Sequence, residues 1–143
     1  MLPKWHIILG FIFSLLVWAV FPQIKLGGFI IIFLSSFLVD IDHYLLYCLN
    51  KKNFSIKSAY IYYRNLPKKH KPIMHFFHTI EFAVAIALLG LYLKVFFMIF
   101  IGFIFHSFLD IAEMAKENNI NNREFSFLRY IIYRKTEKYF RFN

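Results

Sequence analysis

The sequence predicts an all-α membrane protein, a bundle of four transmembrane helices with a basic interfacial loop and a C-terminal amphipathic helix, in a single domain over residues 1–143. Three observations lead there. The chain is 59% hydrophobic over 143 residues, it holds four apolar stretches of about the length of a bilayer span, and its basic residues gather on one side of them. A soluble domain has about 45–50% apolar residues, whereas this one adds 20 Phe and has only 17% charged residues. Those numbers exclude a disordered chain, and a single cysteine, Cys48, excludes a disulfide framework.

A spanning helix needs about 20 predominantly apolar residues. The first stretch, residues 5–21, stops at Pro22, and the second covers 26–49. The apolar run over 73–112 is about twice one span in length. It is therefore divided near Gly90 into spans 73–91 and 95–112, a helical hairpin with a tight turn. The first stretch has no small-residue cleavage site near Phe21 and three spans follow it, so it reads as a retained span rather than a signal peptide.

The basic residues set the orientation. Lys4 precedes the first span, Lys51, Lys52, Lys57, Arg64, Lys68, Lys69 and Lys71 fill the loop after the second, and Lys116, Arg123, Arg129, Arg134, Lys135, Lys138 and Arg141 follow the fourth. Only Lys25 and Lys94 fall on the other side. The positive-inside rule then puts both termini in the cytoplasm of a multi-pass protein of the cell (inner) membrane. The net charge of +9 is accounted for by topology, and no recognition motif accompanies it to suggest nucleic acid.

In the loop 51–72 the bases alternate with Tyr60, Tyr62 and Tyr63, a composition suited to headgroup depth. The cytoplasmic tail, 113–143, is similar. At helical pitch Phe125, Leu128, Ile132, Tyr139 and Phe142 share one side, with Arg134, Lys138 and Arg141 opposite, as in an interfacial helix. Both segments read either as basic edges resting on anionic lipid or, through Lys68, Lys69 and Lys71, as a means of capturing an anionic headgroup or substrate.

Polar residues inside the spans carry the chemistry. Asp40, Asp42, Glu81 and Asp110, half of the eight acids, lie in apolar segments with His43, His75, His78 and His106. Four unpaired carboxylates there would cost on the order of 10 kcal/mol, so something must compensate them. With both termini inside, the second and fourth spans run inward and the third outward, which puts all of these residues in the cytoplasmic half; His6 begins the first span at the same level. His75, His78 and Glu81 step by three and would form one helical stripe, and His106 and Asp110 step by four. Asp40 and His43 share a face, but Asp42 lies about 100° from His43. All three reach one site only if that helix is locally irregular or the site is wide.

Imidazoles and carboxylates gathered in a dry bundle are the donor set of a divalent transition-metal site, Zn first, with Mn or Fe as alternatives. The candidate ligands are His6, Asp40, Asp42, His43, His75, His78, His106 and Asp110, more than one tetrahedral ion needs, so either two ions are bound or some residues orient the ligands. Asp42 and Glu81 are the candidate catalytic residues, as general base, and Glu81 is equally a candidate ligand. A proton relay without metal is the alternative for the cluster. His70 sits among Lys68, Lys69 and Lys71 and reads as part of a solvated charge run, and Cys48 as inert filling.

The segments Asp40-Ile41-Asp42-His43, then His75-Phe76-Phe77-His78-Thr79, then Gly102 to Asp110 with His106 between, resemble the YdjM-like membrane-bound metal-dependent hydrolases, in which a D-x-D-H segment, a central histidine pair and a late G-x-x-x-H-x-x-x-D helix follow in this order. The resemblance covers roughly residues 5–112, and His6 resembles the histidine that opens the family's first helix. Val39 stands where the family often has Pro, and the central pair is His75 with His78 or, at the wider spacing, His70 with His75. The resemblance implies a hydrolase and, through the zinc phospholipases and nucleases that the family itself resembles, cleavage of a phosphoester. A site at headgroup depth among basic residues suits a lipid or other membrane-associated substrate bearing phosphate. A metal-ion or proton transporter using the same cluster is the rival reading, a non-catalytic protein with a structural metal is a third, and a homo-oligomer stays open.

Overall fold

In the computed structural model, residues 3–67 and 72–135 are described. Helix α1 (Pro3–Val20) is followed by a short 3-10 turn at Pro22–Ile24, then by α2 (Lys25–Leu38), α3 (Ile41–Lys51) and α4 (Ile56–Arg64). A two-residue strand, β1 (Ile73–Met74), and a 3-10 turn at Phe76–His78 lead into α5 (Ile80–Tyr92) and α6 (Lys94–Lys116). The described residues end with a 3-10 turn at Ile120–Asn122, strand β2 (Arg123–Glu124) and α7 (Phe127–Lys135). The architecture is mostly helical, apart from one parallel pairing of β1 with β2.

Two helical segments, Pro22–Lys51 and Lys94–Lys116, are long and apolar enough to cross a membrane. Helices α1 and α5 are apolar but shorter. Burial runs opposite to that of a soluble domain. His6, Ser14, Ser36, His106 and Asp110 are almost wholly buried, while Phe11, Leu15 and Leu16 on α1, Leu34 and Leu38 on α2 and Leu88 on α5 are exposed.

Helix α2 and helix α5 both pack on α6, and α1 packs on α2 with a smaller contact to α6. Two glycines let the first three elements come this close. A Cβ at Gly10 would overlap Ser36 Oγ, and one at Gly102 would overlap Ser35 Oγ and the Ile32 carbonyl oxygen. Ser14, Ser35 and Ser36 turn their hydroxyls onto backbone carbonyls of their own helices, leaving no unsatisfied donor in the contact. One helical turn from this layer lie His6 on α1, Asp40 after α2 and His106 on α6. The tight packing of small residues thus positions the polar layer beside it.

The predicted second span is broken. Helix α2 ends at Leu38, and α3 begins at Ile41 after a tightened turn in which the Asp40 N–H donates to the Phe37 carbonyl and the His43 N–H to the Asp40 carbonyl. The break is a local irregularity of the kind expected there, and it leaves Asp40 in one polar group and Asp42 with His43 in a neighbouring one. The third span, predicted as a helix over 73–91, begins only at Ile80. Thr79 is extended and its Oγ1 accepts from the Phe82 N–H, an N-cap that starts α5 there. His75 and His78 therefore lie on an extended and 3-10 segment, and no single helical stripe joins them to Glu81.

The hairpin between α5 and α6 turns at Leu93, as the apolar pattern predicts. The loop 51–72 contains α4, capped by Ser55, whose Ala59 packs on Tyr47 and Cys48 of α3. In the tail, α6 continues to Lys116, Asn118 takes the left-handed conformation at φ 53°, and the chain doubles back to pair Arg123 and Glu124 with Ile73 and Met74. Part of the predicted amphipathic helix is present as α7, and Phe125 precedes it. Tyr139, Phe142, Lys138 and Arg141 lie outside the described residues, as do His70 and the predicted headgroup ligands Lys68, Lys69 and Lys71.

Candidate metal centre

Four side chains from separate parts of the chain converge. Asp40 comes from the break between α2 and α3, His78 from the turn before α5, and His106 and Asp110 from successive turns of α6. One donor atom of each lies within 4.8 Å of all the others, a group that could hold a metal ion. His78 Nε2 is 3.0 Å from His106 Nε2, and both are 3.5 Å from Asp110 Oδ2. Asp40 Oδ1 is 3.7 Å from the first imidazole nitrogen and 3.5 Å from the second. Donors bonded at about 2.0–2.2 Å to a tetrahedral ion stand about 3.3–3.6 Å apart. The five separations just given, 3.0–3.7 Å, are close to that size.

The tautomers point the same way. His106 Nδ1 lies 2.9 Å from the Ser36 carbonyl oxygen, which can only accept, so Nδ1 carries a proton, and in the neutral ring the Nε2 lone pair faces inward. His78 Nδ1 lies 3.2 Å from Asp42 Oδ2, which assigns its proton likewise. Two imidazole lone pairs then face each other at 3.0 Å between two carboxylates. Arg123 offsets the charge of Asp110 at 2.8 Å, and a divalent cation would draw in the two lone pairs and the carboxylate of Asp40.

The remaining predicted ligands surround the quartet. Asp42 is engaged on both oxygens, with Oδ1 3.0 Å from His43 Nδ1 and Oδ2 accepting from the Phe77 N–H at 2.9 Å as well as from His78. Asp42, His43 and His78 form a second group of metal-binding composition that shares His78 with the first. His75 stacks on His43 with ring centroids 3.7 Å apart, and its buried Nδ1 has no hydrogen-bond partner among the described residues. His6 stacks on His106 at 4.3 Å and brings its Nε2 to 3.1 Å from Asp110 Oδ1, the oxygen turned away from the quartet. Tyr63 lies edge-on to His43, and burial pushes its phenol pKa above the usual tyrosine value, so it remains neutral.

Glu81 lies apart from both groups. Its carboxylate accepts from Ser126 Oγ at 2.7 Å, the Phe127 N–H at 3.0 Å and the Leu128 N–H at 3.2 Å, so it caps α7 and fastens the tail to α5. Its predicted place in the cluster depended on a helical stripe that does not form.

The sequence reading missed one charged neighbour of the site. Arg123, counted among the topological charges of the tail, donates from Nη1 to Asp110 Oδ2 at 2.8 Å. The pairing of β1 with β2 places it there, and the signal that could have revealed it is the asparagine-rich stretch after α6, where Asn118 and Asn119 mark a helix stop and a reversal. No protein-family model, no curated protein and no solved structure matches the chain, so its chemistry is argued from the geometry of this centre.

Proposed function

We propose that the chain is a four-span membrane-embedded metal-dependent hydrolase, with its site at the cytoplasmic leaflet, that cleaves a phosphoester of a lipid or other membrane-associated substrate. The observation that carries this reading is the quartet, with two inward imidazole lone pairs and two carboxylates at tetrahedral spacing. Two nitrogen and two oxygen donors suit Zn, with Mn and Fe as alternatives. An ion of this kind supplies Lewis-acid polarisation of a phosphoryl oxygen and acidifies a water.

The protein's own residues divide the remaining work. His78, His106 and Asp110 have side chains 0–3% exposed and hold fixed positions, while Asp40, at 25%, forms the accessible side. Three fixed ligands would leave the fourth position to a water, as in catalytic sites, and Asp40, on that side, is the carboxylate that would accept its proton. Asp42 holds the tautomer of His78. Arg123 brings a guanidinium to the edge of the centre, where a phosphoryl group would sit. A transport pathway would have to continue outward from the quartet, yet the hydroxyls of the next layer in that direction, Ser14, Ser35 and Ser36, are turned onto carbonyls of their own helices, and Ile32 and Phe103 beyond and beside it are buried and apolar.

The test combines metal content with turnover. Elemental analysis of protein purified in detergent without chelator should find stoichiometric Zn, Mn or Fe, absent from a folded His78→Ala, Asp42→Ala double variant. The loaded protein in liposomes of varied phospholipid and prenyl-phosphate headgroups should release phosphate or headgroup. Metal-loaded protein that turns over none of these phosphoesters would sink the hydrolase reading.

A further inference from the structure

Beside the metal centre runs an apolar groove of about 350 Å³. Its floor is α6, through Ile99 and Phe103, and its walls are α2 and the start of α5, which both pack on α6 and make few contacts with each other. Ile31, Leu34, Leu38 and Val39 line the α2 wall, and Phe77 and Phe82 line the other. The single hydroxyl in the lining, on Ser35, donates to the Ile31 carbonyl at 2.8 Å, so the side chains of the lining offer a ligand no free donor.

Its position gives it meaning. Val39 directly precedes Asp40, Phe77 directly precedes His78, and Phe103 lies three residues before His106, so one end of the groove is built from the neighbours of three quartet members. From Val39 the α2 wall runs back to Ile31, about 12 Å at helical rise. Half the hydrocarbon core of a bilayer is about 15 Å. Leu34 and Leu38, both exposed, form the open rim.

We propose that this groove seats one hydrocarbon chain of a phosphate-bearing lipid whose headgroup reaches the metal centre. The proposal rests on the membrane-hydrolase reading and deepens it by naming how the substrate is held. The dimensions fit a single chain entering sideways from the cytoplasmic leaflet, since the volume is at the low end for ligand pockets and the lining is apolar throughout. A lipid lying there has its tail directed to the midplane and its phosphate beside Asp40, Arg123 and the two imidazoles. The occupant is thus matched at both ends, with hydrocarbon against hydrocarbon and an anion beside Arg123 and a donor set that would hold a divalent cation.

The experiment uses full-length protein in phosphatidylcholine vesicles doped with phosphatidic acid that carries a diazirine near the end of one acyl chain. After irradiation, labelled peptides should map to residues 31–39 and 99–103, and labelling should fall severalfold in a Leu34→Trp, Leu38→Trp variant that fills the groove from its rim. Retained metal in that variant shows that the centre is intact, and a Leu15→Trp, Leu16→Trp variant on the exposed side of α1 should label as the parent does. The same tail on phosphatidylcholine should label these peptides severalfold less. Equal labelling from both headgroups, label spread evenly over exposed α1, or crosslinks joining two copies through the groove would each overturn the proposal. Selective labelling without turnover would keep the groove as a lipid site and remove only the hydrolytic chemistry.

Discussion

The two sides of the His78 ring differ in what their polar atoms are already doing. On the Nδ1 side, the Asp42 oxygens are occupied by His43, the Phe77 N–H and His78 itself. On the Nε2 side, the nitrogens of His78 and His106 are left with lone pairs facing each other, flanked by Asp40 and Asp110. Both groups are made of Asp and His. Composition alone cannot rank them, and the hydrogen bond made by the far atom of each imidazole does. A ring whose distal nitrogen is held by a carbonyl or carboxylate is prepared to ligate with the other nitrogen.

The largest effect should therefore come from the Nε2 side. His106→Ala removes one lone pair without unpairing a charge, and it should abolish stoichiometric metal binding as measured by elemental analysis and by titration with Zn. His43→Ala, on the Nδ1 side, should leave stoichiometric metal in place. A His43 variant that loses the ion beside a His106 variant that keeps it would reverse the assignment of the two groups.

An intermediate effect should come from Asp42, which lies between them. Loss of a group that orients a metal-ligating histidine lowers affinity by about 10–100-fold. Asp42→Ala should fall in the upper part of that range and Asp42→Asn in the lower, because the amide oxygen can still accept from His78 Nδ1. Competition with a chelator of known affinity measures both. Complete loss of metal in Asp42→Asn, with the fold intact, would make Asp42 a ligand rather than a support.

The helices and the polar layer were legible because hydropathy, the one-sided basic residues and helical spacing are properties of the chain itself. Asp40, His78, His106 and Asp110 were all among the candidates, and the offset of about 100° between Asp42 and His43 left either an irregular helix or a wide site, of which the break at Asp40 is the first. What could not be read were the contacts made by backbone reversal. Apart from His75, His78 and Thr79, residues 73–79 continue the apolar run of the helix after them, so their extended and 3-10 course depends on Thr79 capping α5 and on β1 pairing with a strand some 50 residues later. The same pairing delivers Arg123, whose charge looked like any other in a basic tail.

The smallest effect should come from Glu81, and it separates fastening from chemistry. Its carboxylate holds the first N–H groups of α7, where a helix gains from an acceptor and from negative charge. Glu81→Gln retains one acceptor oxygen and loses the charge. The tail has further fastenings, because the Ile80 N–H donates to the Phe125 carbonyl at 2.8 Å and Arg123 holds Asp110. The variant should therefore unfold at a modestly lower temperature in detergent and be cut faster by protease within α7, while its metal content and affinity match the parent's. If instead Glu81→Gln loses the metal as fully as His106→Ala while α7 stays protected, the carboxylate reaches the centre in the working protein, and the division between the fastened tail and the quartet fails.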